Sequence, residues 1–490
     1  MRSLFRSLPV ALAALLLLTP AARAADQTVT SFDGTALTVH WFPQPGGQPA
    51  PTILLGHGWG GSGDVDETPG EPIARYRAAG YNVLTWDARG FGTSGGVVQV
   101  DSPDFEGRDV QALLDWLATR PEAKLDAPGD PRVGMAGGSY GGAIQLVTAA
   151  IDKRVDAITP QIAWHSLGTS VYPDSIVKLG WAGLLYLSAA QKQLDPHIRS
   201  AYDQGVATGS LDAESQRWFL ARGSGALVNR ITVPTLLVQG TVDGLFPLDE
   251  AVANYRILRA HNVPTKMLWY CGGHGVCLDG HPDSARADAA VLAWLNKYVK
   301  GDTAVDTGAR FEGVDQRGDV FTAKDYPLPL GRPLTAKGAG TLKLKASGGA
   351  GPTTKTTGPV AGVTPAVAKN AVNVRLRAGK RGDRIVGAPR VTLSYRGTTG
   401  AGSRPQRVFA QLVDTRTGLV LGNQITPITV RLDGKRHKVT RPLELVAQTL
   451  RGRGGITLQL VASTPAFAKP QLGGKVRFSA ISLRLPVVRR

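Results

Sequence analysis

Short apolar segments with the character of buried strands alternate with helical segments through the first 300 residues, and then the alternation stops. "ALTVHWF" (36–42), "TILLG" (52–56), "YNVLTWD" (81–87), "RVGMA" (132–136), "PTLLVQG" (234–240) and "TKMLWY" (265–270) carry the strand pattern. "IARYRAAG" (73–80), "DVQALLDWLATR" (109–120), "GGAIQLVTAA" (141–150), "DEAVANYRILRA" (249–260) and "ADAAVLAWLNKYV" (287–299) carry the helical one. Parallel strands need crossover connections, and helices supply them. The rhythm therefore predicts an α/β domain over residues 25–301, with a mostly parallel sheet covered on both faces. Residues 163–228, rich in Trp, Leu and Ala, interrupt it and read as a helical cap over the carboxyl edge of the sheet. Residues 302–335 read as a Pro- and Asp-containing connector. From residue 336 to 490, β-branched alternating runs such as "TLKLKAS", "RVTLSYRG" and "GITLQLVAS" are separated by turn signals such as Asp433-Gly434. They predict an all-β sandwich, with 346–368 as a flexible loop inside it.

Charge divides the chain at the same place. Residues 326–490 carry 29 Lys and Arg against 4 Asp and Glu, whereas residues 25–325 carry 24 against 34. An acidic domain thus precedes a strongly basic one, and the basic one is suited to anionic surfaces. At the N-terminus, Arg2 and Arg6 precede the apolar run "PVALAALLLL" and the small-residue site Ala22-Arg23-Ala24. This is the pattern of a cleaved export signal over residues 1–24, and it predicts a secreted or cell-envelope-associated protein. The two cysteines, Cys271 and Cys277, lie in "CGGHGVC". Outside the cytoplasm such a pair is expected to form a disulfide, and the spacing is unlike that of zinc or C-x-x-C redox sites.

The chemistry is concentrated in "AGGSYGG" (136–142). Gly137-Gly-Ser139-Tyr-Gly141 fits G-x-S-x-G between a strand and a helix, the context of a nucleophile elbow. The sharp turn demands small neighbours, and the helix N-terminus favours negative charge developing beside the serine. A serine nucleophile needs a base, and the base needs an orienting acid. Asp243, in "VQGTVDGLFP", and His274, in "CGGHGVC", each follow a strand and complete the order Ser, acid, His. The oxyanion donors expected by position are the backbone N–H groups of Trp59, in "GHGWGGS", and Tyr140. His57 reads as a brace for the loop rather than a base. Asp87, Arg89, Gly90, Gly92 and Ser94 of "DARGFGTSG" read as a structural turn beside the active-site loops.

The segments "GHGWGGSG" (56–63), "LTWDARGFGTSGG" (84–96), "GRDVQALLDWLATRPE" (107–122), "GMAGGSYGGAIQLV" (134–147), "VQGTVDGLFP" and "GGHG" together resemble α/β-hydrolases of the Xaa-Pro dipeptidyl-peptidase and cocaine-esterase family. The resemblance implies an α/β-hydrolase fold with a helical cap, followed by a jelly-roll domain of galactose-binding-like type. It implies Ser139 as nucleophile, Asp243 as acid and His274 as base. It also implies cleavage of an acyl ester or amide, or removal of an N-terminal dipeptide. That family commonly places a tyrosine hydroxyl in the oxyanion hole. Here Trp59 occupies the loop, so a backbone donor takes that role as in general esterases. No residue stands out as an anchor for a substrate amine; Asp64, Asp66 and Glu67 follow the loop and could serve, but they read first as a solvated acidic loop.

The expected substrate is a small ester or amide, or a peptide, and no metal or organic cofactor is implied. The basic half carries no aromatic-rich nucleic-acid motif, so an anionic cell-envelope surface is the expected partner rather than nucleic acid. Two other readings stand beside the peptidase-like hydrolase. One is a carboxylesterase or acylase without peptidase activity. The other is a surface-binding protein with a disused hydrolase domain.

Overall fold

The computed structural model describes residues 26–279, 283–377, 381–399, 406–451, 455–468 and 472–489. The expected export signal, 1–24, lies outside the described residues. Ten strands form the central sheet: β1 (Asp26–Thr30), β2 (Ala36–Phe42), β3 (Thr52–Gly56), β4 (Asn82–Trp86), β5 (Val133–Gly137), β6 (Val155–Ile158), β7 (Thr235–Gly240), β8 (Thr265–Tyr270), β9 (Phe311–Val314) and β10 (Val320–Ala323). Their spatial order is β1-β2-β4-β3-β5-β6-β7-β8-β9-β10. The run from β4 to β9 is parallel, and antiparallel strands close both ends.

Adjacent residues of the central strands serve opposite cores, which is why these strands read as unbroken apolar runs. Ile53, Val83, Ala136, Leu236 and Leu268 face one core, where α1 (Pro72–Ala78) and α9 (Ser284–Tyr298) contribute Ile73, Tyr76, Val291 and Trp294. Leu54, Leu84, Met135, Leu237 and Met267 face the other. There α2 (Glu106–Leu117), α3 (Tyr140–Ile151) and α8 (Leu248–Ala260) contribute Val110, Leu113, Val147, Val252 and Leu258. Between β6 and β7 the chain leaves the sheet for α4 (Leu167–Ser170), α5 (Leu179–Ser188), α6 (Pro196–Thr208) and α7 (Ala213–Leu220). These four helices occupy the segment expected to be a cap. Asp195 caps α6 by accepting from the His197 N–H at 2.9 Å, Pro196 opens it, and Gly209 closes it with φ of 74°.

The segment 302–335 departs from its reading as a connector. It supplies β9 and β10, which extend the central sheet beyond β8. "FEGV" and "VFTA" are four residues each, too short to show a period, and only pairing with β8 makes them strands.

The C-terminal domain is built on β11 (Leu334–Lys343), β12 (Ala371–Arg377), β13 (Arg390–Thr398), β14 (Gln406–Asp414), β15 (Thr426–Val430), β16 (His437–Pro442), β17 (Gly455–Val461) and β18 (Lys475–Leu485). One antiparallel sheet runs β11-β18-β13-β16, and the other places β17 between β12 and β14, with β15 on the far side of β14. Leu393, Phe478 and Ile481 of the first meet Val374, Leu412 and Leu458 of the second in one core. The segment 346–368 is pinned rather than loose. Ala350, Ala361, Val363 and Thr364 are buried, and Val363 would meet a side chain placed at Gly180 of the cap.

Candidate active site

β5 ends at Gly137, and α3 begins at Tyr140. Ser139 turns between them with φ of 57° and ψ of −116°, a conformation that costs a non-glycine residue about 1–3 kcal/mol. The neighbouring glycines have a further reason beyond the turn. A Cβ on Gly137 would stand 2.4 Å from the Gly56 carbonyl oxygen of β3, and one on Gly141 would stand 2.1 Å from it. Glycine at both positions lets the elbow and the first turn of α3 lie directly on β3.

Ser139 and the residues after β7 and β8 converge at the carboxyl edge of the sheet. The Ser139 hydroxyl lies 2.8 Å from His274 Nε2, and His274 Nδ1 lies 2.7 Å from Asp243 Oδ2. The tautomer that satisfies both contacts carries its proton on Nδ1, so Nδ1–H donates to Asp243 and Nε2 accepts from Ser139. Asp243 is completely buried, and its other oxygen accepts from the Leu245 and Phe246 N–H groups, both at 2.9 Å. These bonds fix the carboxylate so that it can hold the imidazole in one orientation. The Phe246 and Trp181 rings stand nearly perpendicular to the His274 ring, at centroid distances of 5.1 and 6.3 Å. The Cys271–Cys277 disulfide is formed, with Cα atoms 5.6 Å apart, and its loop encloses His274.

Trp59 and Tyr140 line the cavity with the serine, their rings 5.6 Å apart. Tyr140 is the first residue of α3, so its N–H has no partner within the helix. The Trp59 ring donates to the Leu185 carbonyl of α5 at 2.9 Å, and its backbone N–H makes no hydrogen bond among the described residues. Both ring nitrogens of His57 are engaged by partners other than the serine. Its Nδ1–H donates to the Gly58 carbonyl, its Nε2 accepts from the Ala88 N–H at 3.0 Å, and burial pushes its pKa below the usual imidazole range. It therefore braces the Trp59 loop as a neutral ring.

The "DARGFGTSG" turn does similar work. Asp87 accepts from the Gly63 and Thr93 N–H groups, both at 2.7 Å, and Ser94 returns a bond to the Asp87 carbonyl. Against the cost of burial, its partners His40, Thr93 and Gly63 hold the Asp87 carboxyl down at about 2. A side chain at Gly92 would fall on that carboxylate.

Below the serine, the Tyr140 hydroxyl donates to buried Glu106 at 3.2 Å, and Glu106 also accepts from the Gln99 and Ser102 N–H groups. Burial raises its pKa to about 7. Unfolded, the group deprotonates near pH 4.5, and folded it keeps its proton until about pH 7. Its contribution to stability therefore falls as pH rises through that window. Relative to Glu106→Gln, the wild type is expected to lose up to about 3 kcal/mol of unfolding free energy between about pH 4 and pH 8. Urea titrations of both proteins across this range check the difference. Parallel pH profiles would remove Glu106 from the account.

Residues not singled out from the sequence complete the surroundings. The Gln424 side chain, from the C-terminal domain, donates to the Asp243 carbonyl at 2.7 Å, and the Asn423 side chain donates to the Val276 carbonyl at 3.0 Å. Buried Lys178 donates to the Leu245 carbonyl at 3.0 Å. None carries a local signal, because a polar loop residue looks the same in sequence whether it meets water or a catalytic loop. The acidic residues after the Trp59 loop are committed elsewhere. Asp64 and Asp66 bond backbone N–H groups two residues ahead, and Glu67 pairs with Arg77.

Above Ser139 a cavity of about 110 Å³ opens under the cap. Trp59, Trp164, Leu185, Tyr186, Phe219 and Phe246 are among its walls, and no carboxylate among the described residues lines it. Tyr186 of α5 stacks on Tyr202 of α6 at 4.5 Å in its roof.

Residues 33–276 match the model of the X-Pro dipeptidyl-peptidase (S15) family. An uncharacterized 31.7 kDa protein from the traX-finO intergenic region of Escherichia coli is 33% identical over 133 residues, 27% of this chain and 43% of that protein. The quorum-quenching protein AidA of Acinetobacter baumannii is 35% identical over 137 residues, 27% of this chain and 42% of AidA. The chain thus spans less than half the length of these curated relatives. Among solved structures, a CocE/NonD family hydrolase from Staphylococcus aureus superposes with a TM-score of 0.69 at 13% identity, covering 94% of this chain and 93% of that one. An alpha-amino acid ester hydrolase superposes at 0.73 with 13% identity, covering 98% of each chain. These likenesses are of fold, and they extend through the C-terminal domain. By the match over residues 33–276, the chain belongs to the X-Pro dipeptidyl-peptidase (S15) family of α/β hydrolases, a family of serine-hydrolase type.

Proposed function

We propose that the protein is an exported carboxylesterase that cleaves esters with an apolar acyl or alcohol group through an acyl-enzyme. The observation that carries this reading is the wall of the Ser139 cavity, which is apolar and aromatic and without a carboxylate. A dipeptidyl-peptidase must hold a protonated substrate amine, and a buried ammonium without a partner is costly. The acidic residues that could have anchored one, Asp64, Asp66 and Glu67, are not among the residues lining the cavity and make local bonds instead.

In the proposed reaction His274 Nε2 takes the Ser139 proton as Oγ attacks the ester carbonyl carbon. Asp243 holds Nδ1–H and stabilises the imidazolium that forms. The Trp59 and Tyr140 N–H groups receive the oxyanion, helped by the N-terminus of α3. The ester C–O bond then breaks, and His274 returns the proton to the departing alcohol. Water, deprotonated by the same imidazole, releases the acid and restores Ser139.

The Cys271–Cys277 disulfide suits an oxidising compartment and so supports export. The C-terminal domain is read as a jelly roll. Counting its eight strands in chain order, one sheet runs first, eighth, third, sixth, and the other runs second, seventh, fourth, fifth. That interleaving is the order two Greek keys produce.

The test is a substrate panel of p-nitrophenyl esters of increasing acyl length against Xaa-Pro p-nitroanilides. Esters are expected to exceed the anilides in kcat/KM by at least about 100-fold, the scale on which a buried unpaired charge is rejected. Faster cleavage of the anilides would overturn the esterase reading.

A further inference from the structure

We propose that the outer face of the β11-β18-β13-β16 sheet binds an extended phosphodiester polymer, anchored in a hollow between Arg396, Lys475 and Arg477. This inference does not depend on the catalytic reading.

The four strands, 334–343, 475–485, 390–398 and 437–442, contain no Asp or Glu. Their inward residues, such as Leu393, Tyr395 and Phe478, fill the sandwich core, and the alternate residues are solvent-facing. Register then decides where the outward cations stand. Arg390 is directly opposite Arg484, Arg396 is opposite Arg477, and Lys475 is opposite Thr398. Lys438 faces the same side beside Ser394. Like charges directly opposite one another on a sheet destabilise it. None of these six cations has an acidic ion-pair partner among the described residues. The acid nearest in the register, Asp433 across from Thr398, is occupied by His437 at 2.8 Å. The two arginine pairs are therefore a concentration of positive charge that the fold maintains without an internal counter-charge.

The geometry selects the counter-charge. Neighbouring strands lie about 4.8 Å apart. Two guanidinium forks at that spacing can close on the free oxygens of one tetrahedral phosphate, with the hydroxyls of Thr341, Thr398 and Ser479 around them in the same hollow as further donors. A hollow of about 800 Å³ lies at this end of the face, lined by these residues and by Gly340, Gly397 and Gly434. The second arginine pair is six residues along β13, about 20 Å away, so only an extended ligand reaches both. Among the described residues the face offers no exposed aromatic or large aliphatic side chain on which a base could stack or which a bilayer could receive, and Phe478, which also lines the hollow, is buried. A base-free phosphodiester chain fits this surface better than nucleic acid or lipid.

The test uses the full-length protein and fluorescein-labelled poly(glycerol phosphate), a base-free phosphodiester chain, read by anisotropy over a salt series. Wild type is expected to bind, and Arg396→Glu/Arg477→Glu is expected to weaken binding at least about tenfold and to lower the salt slope by about two. Lys124→Glu/Arg217→Glu makes the same change in net charge at exposed sites elsewhere and is expected to stay within about twofold of wild type. Ester turnover and melting temperature should be unchanged in both. If the first variant does not fold, Arg390→Glu/Arg484→Glu carries the same expectation. Equal loss in face and control variants, or no loss in either, overturns the proposal. So does tighter binding to a single-stranded DNA oligonucleotide or to phosphatidylglycerol vesicles than to poly(glycerol phosphate).

Discussion

Ser139→Ala is expected to reduce ester turnover by about 10⁴- to 10⁶-fold while leaving the fold intact. The hydroxyl, at the carboxyl edge of β5, stands 2.8 Å from an imidazole that is itself held by a buried carboxylate. Removing it leaves the apolar cavity and the two backbone donors, so residual rate above solution should persist. Substrate affinity should change little, because the walls of the cavity are untouched. The measurement is single-turnover and steady-state hydrolysis of the best p-nitrophenyl ester, with fluorophosphonate labelling of the same preparations. Wild type should label stoichiometrically and the variant should not. Turnover within about tenfold of wild type would mean that the Ser139–His274–Asp243 contacts are structural.

The largest effect on stability is expected from Arg89→Leu. Arg89 and Asp109 are both nearly inaccessible, and the guanidinium grips the carboxylate with two bonds of 2.6 and 2.7 Å. It also reaches Asp33 at 3.0 Å and packs over the Phe32 and Phe105 rings. Leucine would leave the Asp109 charge buried with only the Ser31 hydroxyl as a strong partner. Breaking one side of a buried pair costs about 3–5 kcal/mol. For a catalytic domain of this size that is a fall of about 10 °C in its unfolding transition. Arg89→Leu/Asp109→Leu should recover much of the loss, because the stranded charge is gone. Calorimetry of the three proteins separates the outcomes. A double variant no more stable than the single one would show that the packing of Arg89, not its charge, matters.

Much of the catalytic half was legible because its signals are local. "RVGMA", a glycine-flanked serine and "GGAIQLVTAA" specify a strand, a sharp turn and a helix within nineteen contiguous positions. Asp243 and His274 were found by a similar rule, as the acid and the imidazole within four residues of the ends of "PTLLVQG" and "TKMLWY". The geometry brings these two and Ser139 into one hydrogen-bonded chain. "FEGV" and "VFTA" were not legible, because four residues cannot display a period and their pairing partner is remote in sequence. Asn423 and Gln424 were not legible either, since a loop of the β domain carries nothing that points to Val276 and Asp243.

What the amino-acid sequence determined alone is the order of elements, the change from α/β to β architecture and the three residues on which the chemistry is proposed to rest. Periodicity and turn chemistry act between near neighbours, so they survive in a one-dimensional reading. Only the tertiary structure decided what covers Ser139, because α5 and α6 reach it from outside the sheet. It also decided that the second domain buttresses the acid loop, and that cations scattered along β13, β16 and β18 line up on one face. These depend on contacts across tens to hundreds of residues and on strand register. A shift of one residue would turn each arginine pair into the core, and nothing in the linear order of residues records that choice.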